Sequence, residues 1–63
     1  MTTLYEVVLR EGVEEARQER AFDVEKSPGD HIYIDGDDWV VVLIRERAGR
    51  TPELIAIPSG APR

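Results

Sequence analysis

Asp35-Gly36 separates two runs of β-forming residues, His31-Ile32-Tyr33-Ile34 and Trp39-Val40-Val41-Val42-Leu43-Ile44. Asp-Gly between such runs predicts a type I′ hairpin, because both central residues of that turn need positive φ. Glycine adopts it freely and aspartate tolerates it. The chain is thereby committed to antiparallel β-structure here, with Asp37 and Asp38 widening the loop by one or two residues. The run after the turn is apolar on both parities. Successive side chains of a strand point to opposite faces, so this pattern predicts a central strand covered on both sides. One parity (Trp39, Val41 and Leu43, or the reverse) fills a core. The other has to be covered by a loop, by the tail or by another subunit.

The remaining segments supply partners for that hairpin. Leu4 to Arg10 is rich in β-formers and reads as a first strand. Tyr5, Val7 and Leu9 line one face; Leu4, Glu6, Val8 and Arg10 line the more polar other. Gly12 ends it. Val13 to Ala21 carries only Val13, Ala16 and Ala21 as apolar anchors among charged residues, a pattern that fits a short helix, a charged loop or a ragged β-arm. Alternation returns at Arg20 to Glu25, with Phe22 and Val24 expected inward. Ser27-Pro28-Gly29-Asp30 has the proline and glycine placement of a type II turn. Glu53 to Ile57 is a last strand, and Pro58 stops it. The expectation is an all-β, five-stranded antiparallel small barrel or strongly curled sheet. It occupies residues 1–58 as one domain, with 59–63 as a short tail.

A chain of 63 residues buries only about 60% of its unfolded surface, which leaves little margin of stability. Domains of this size often add disulfides, a metal or a partner subunit. There is no cysteine, and His31 is the sole histidine, so a thiolate or multi-histidine site is excluded. Association remains. Thirteen acidic and eight basic side chains give a net charge of −5, which disfavours a phosphate backbone as partner. Arg45, Arg47 and Arg50 form a local basic loop against that trend. The amino terminus lacks a basic segment followed by an apolar one, and the longest apolar run is too short to span a bilayer. A cytoplasmic location with no membrane contact is the expectation.

Ala21-Phe22-Asp23-Val24-Glu25-Lys26-Ser27-Pro28-Gly29-Asp30-His31-Ile32-Tyr33-Ile34, followed by Asp37-Asp38-Trp39-Val40-Val41, resembles the middle of SH3-like small β-barrels. There a phenylalanine, a Gly-Asp turn and a short aliphatic strand precede a turn and a Trp-led strand. The resemblance implies a small barrel. The paired tryptophans of the peptide-binding members correspond to Trp39-Val40, and their closing Pro-x-x-Tyr is absent, so the resemblance carries the fold and not proline-peptide recognition.

Candidate functional residues follow from the excess of apolar strand. The expected interaction surface comprises Tyr5, Tyr33, Trp39, Val40, Val42, Ile44, Ile55 and Ile57, facing a second copy of the chain (a homodimer) or another protein. Asp35, Asp37 and Asp38 form an acidic rim. Their spacing does not match a calcium loop, so neither metal nor cofactor is expected. Neither Ser27 nor Ser59 is tied by sequence to His31, no phosphate-cradling glycine loop exists, and a closed small barrel has no room for a small-molecule pocket. No enzymatic activity or small-molecule substrate is expected. The alternative to a self-associating module is a nucleic-acid-associated barrel using Arg45, Arg47 and Arg50 beside Tyr33 or Trp39.

Overall fold

The computed structural model describes residues 2–60. Five strands, β1 (Thr3–Glu11), β2 (Glu14–Phe22), β3 (His31–Ile34), β4 (Asp37–Arg47) and β5 (Arg50–Pro58), form one strongly curled sheet in the order β2-β1-β5-β4-β3. The fold is all-β, as expected, and no helix among the described residues is long and apolar enough to cross a membrane. Three of the four pairings are antiparallel; β1 and β5 run parallel. This mixed order corrects the purely antiparallel expectation. A β1–β2 hairpin and a β3–β4–β5 meander are each antiparallel by their tight turns. Their junction is set instead by the connection 23–30, which carries the chain from one edge strand to the other.

That connection closes the open side of the curl. The Lys26 amide donates to the Tyr5 hydroxyl at 3.0 Å, and the Lys26 ammonium lies 5.3 Å from the centre of the Phe22 ring. The Gly29 amide donates to the Val41 carbonyl, and the Val41 amide to Asp30. The core fills the concave face: Tyr5, Val7 and Leu9 of β1, Ile32 and Ile34 of β3, Trp39 and Val41 of β4, and Leu54 and Ala56 of β5. Phe22 packs against it, its ring centre 6.0 Å from that of Tyr5. Val24, expected inward, lies beyond β2 and is exposed.

The undecided stretch resolves as strand. Gly12, at φ +62°, turns the chain so that Glu11 faces Glu14 and the whole of β2 zips along β1. Intrinsic preference would not extend Glu14–Phe22 on its own; a ready edge with cross-strand ion pairs does. Arg10 donates twice to Glu15. The other turns are tighter or as read. Asp35 (φ +52°) and Gly36 (φ +85°) make a two-residue type I′ loop, with Ile34 directly opposite Asp37, so Asp37 and Asp38 belong to β4 and do not widen the loop. Gly29 sits at φ +97° and the Asp30 amide donates to the Ser27 carbonyl at 3.0 Å, the type II geometry.

One irregularity decides which face each β4 side chain occupies. Val41 pairs with Ala56 but Leu43 pairs with Ile55, so Val42 is an extra, bulged residue. A bulge inverts the parity of everything beyond it. Trp39 and Val41 face the core before it, and Ile44 packs against the core after it. Leu43 is thereby turned to the convex face.

Candidate functional site

The convex face divides into an apolar ridge and a charged lattice. Val8 of β1 lies beside Ile55 of β5, and Ile55 lies beside Leu43 of β4. The next rung places Ile57 opposite Val40. Val8 and Ile55 are buried, Val40 is half-buried, and Leu43 and Ile57 are exposed at 42% and 38%. Val42, on the bulge, is 44% exposed.

The lattice covers the β1–β2 side of this ridge. Arg17 donates to Glu53 at 2.9 Å and reaches Glu6 and Glu15. Arg47 donates to Glu6 and to the Thr51 carbonyl, and Arg45 lies 3.8 Å from Glu53. The alkyl stem of an arginine covers apolar surface while its head stays wet, which accounts for the burial of Val8 on a face that has no second layer. Arg47 holds the Glu6 carboxyl below its ordinary 4.5, with a smaller contribution from Arg17. Glu53 raises Arg17, chiefly through their hydrogen bond.

The structure brings together part of the expected surface. Val40 and Ile57 are neighbours on the convex ridge, with Val42 close by; Tyr33, opposite Asp38 on β3, is 72% exposed on the same face. Tyr5 and Trp39 are buried core residues, Ile55 is buried beneath the ridge, and Ile44 faces the core. Leu43 was missed because a bulge carries no signal in a run of uniformly apolar residues. Of the basic loop, Arg45 and Arg47 are paired with carboxylates, and Arg50 stands opposite Arg47. Neither Tyr33 nor Trp39 lies beside them. The acidic rim spreads over both faces: Asp35 lies in the turn 3.9 Å from Arg20, Asp37 borders the concave mouth, and Asp38 faces the convex side.

Asp38 is the hub of a cluster not apparent in sequence. The Ser59 hydroxyl donates to its carboxylate at 2.6 Å, and His31 Nδ1 lies 3.1 Å from the same group. The Ser59 amide donates to the Asp38 carbonyl. These bonds hold the Asp38 carboxyl below its ordinary 3.8, the Ser59 hydroxyl contributing most. The carboxylate stands between serine and imidazole, so His31 is not placed to take the Ser59 proton; the arrangement clasps the chain after β5 onto β4. Of the tail expected at 59–63, residues 61–63 lie outside the described residues. Comparison with protein-family models, curated proteins and solved structures returns no match. Function is therefore read from these two faces alone.

Proposed function

We propose that this chain is a protein-interaction module that pairs with a second copy of itself through the convex ridge. The observation that carries the reading is the exposure of Leu43, Ile57 and Val42 side by side on a sheet face with no covering layer. The lattice of Arg17, Glu53, Glu6 and Arg47 protects one flank of that face and leaves the other bare. Two-fold pairing sets the same ridge against itself. A standard interface takes about 800 Å² from each partner, roughly a sixth of the 4524 Å² surface of this chain. The edges of the sheet favour docking by face over strand addition. β2 is lined with charge, β3 is four residues long, and β4 is bulged, all features that blunt edge pairing.

The nucleic-acid reading has less support. Its arginines are engaged by Glu6 and Glu53, and Trp39 lies in the core. Thermal unfolding across a dilution series tests the proposal: a self-associating fold loses its midpoint on dilution. Leu43→Glu should remove that dependence. A midpoint independent of concentration in the unaltered protein rejects the reading.

A further inference from the structure

The concave mouth of the curl, opposite the ridge, is chemically different. Two open cavities of about 500 and 430 Å³ meet there, and Trp39 and Glu11 line both. Glu14 and Ala16 border the first; Asp37, Pro58 and Gly60 border the second. Glu11 and Glu14 stand directly opposite each other on the last rung of the β1–β2 hairpin, where like charges oppose pairing. Among the described residues no cation lies within ion-pair distance of Glu11, Glu14 or Asp37, whereas the arginines of β1, β2 and β4 are engaged elsewhere. The charges of the convex face are thus largely balanced, and those of the mouth are not.

A second observation points to the same place. The Trp39 indole is 9% exposed, and its Nε1 is a buried side-chain donor without an acceptor. Leaving such a group unpaired is costly. A ligand for this mouth therefore combines positive charge with a hydrogen-bond acceptor a short distance away. No group of three metal-ligating side chains exists among the described residues, which points to an organic cation and away from a metal ion.

We infer that the mouth around Trp39 binds a basic peptide segment. A lysine or arginine side chain lies between Glu11, Glu14 and Asp37, and a main-chain carbonyl of the segment accepts from Trp39 Nε1. An exposed aromatic wall beside carboxylates adds attraction for the cation. The site is separate from the self-association ridge, so each stands or falls without the other.

The probe is a capped peptide of alternating glycine and lysine, compared with its fully acetylated copy. Trp39 is the only tryptophan, so fluorescence and the indole N–H resonance report on the site directly. The lysine peptide should shift both saturably, and the acetylated copy should shift neither. Glu14→Gln with Asp37→Asn should weaken binding about tenfold or more, with an unfolding midpoint equal to or above that of the unaltered protein. Glu19→Gln with Glu25→Gln, away from the mouth, should leave binding unchanged. No response at Trp39, an equal response to the acetylated copy, or unweakened binding by the Glu14/Asp37 variant would each overturn the inference.

Discussion

Arg17 of β2 and Glu53 of β5 meet at 2.9 Å across the intervening strand β1, over the buried side chain of Val8. The pair ties three strands together at the parallel junction, where no tight turn enforces the register. Glu53 is itself buried, so removing its partner leaves a carboxylate poorly solvated and poorly paired. Arg17→Ala should therefore lower the thermal midpoint, and Arg17→Lys should lower it less, since the stem is kept and the forked head is not. A double-mutant cycle with Glu53→Ala should show positive coupling. Independent effects of the two substitutions would mean that the bridge does not hold the junction.

The bulge at Val42 makes Leu43 and Ile44 opposites. In dilute solution, where association is absent, Leu43→Ser should change stability by no more than about 0.5 kcal/mol. Ile44→Ser should cost about 1–3 kcal/mol, because its side chain packs on the core. Leu54→Ala, at a fully buried position, should cost about 2–5 kcal/mol. Urea denaturation of the three variants checks the order. Equal costs at Leu43 and Ile44 would place the bulge elsewhere.

The hairpin turn offers a backbone test. Gly36 at φ +85° is costly for any residue with a Cβ, so Gly36→Ala should destabilise by about 1–2 kcal/mol. Asp35→Asn keeps a residue suited to φ +52° and should be close to neutral. If both substitutions were silent in denaturant melts, the turn would not be type I′.

Much of this architecture is legible in the sequence because turns speak locally. Asp35-Gly36, Pro28-Gly29 and the alternation of Tyr5, Val7 and Leu9 each predict what is found. The character of β2 was not legible. Glu14 to Phe22 has no strand pattern of its own, and its conformation comes from the edge that β1 presents. Nor was the parallel β1–β5 contact, which pairs residues far apart in sequence. The candidate site suffered most from the bulge. Alternation counted from Trp39 assigns Ile44 to the second face, and one extra residue exchanges it for Leu43.

Acid should loosen the fold. Arg47 depresses the Glu6 carboxyl, and Ser59, then His31, depress that of Asp38. Groups with depressed folded values stabilise fully above their unfolded values, near 4.5 and 3.8. That stability is lost as pH falls below these values and through the lower folded ones, because the unfolded chain takes up protons first. Thermal midpoints should be flat just above this range and decline below it. Glu6→Gln and Asp38→Asn together should flatten that decline; an unchanged slope would show that other carboxylates carry it.

Sedimentation equilibrium of the whole chain tests the proposed self-association most directly. At tens of micromolar and above the account predicts a mass of two chains, falling toward one on dilution. Leu43→Glu and Ile57→Glu should each hold the protein at the mass of a single chain while leaving it folded. A single-chain mass for the unaltered protein throughout that range would contradict the account, as would a dimer that both variants leave intact.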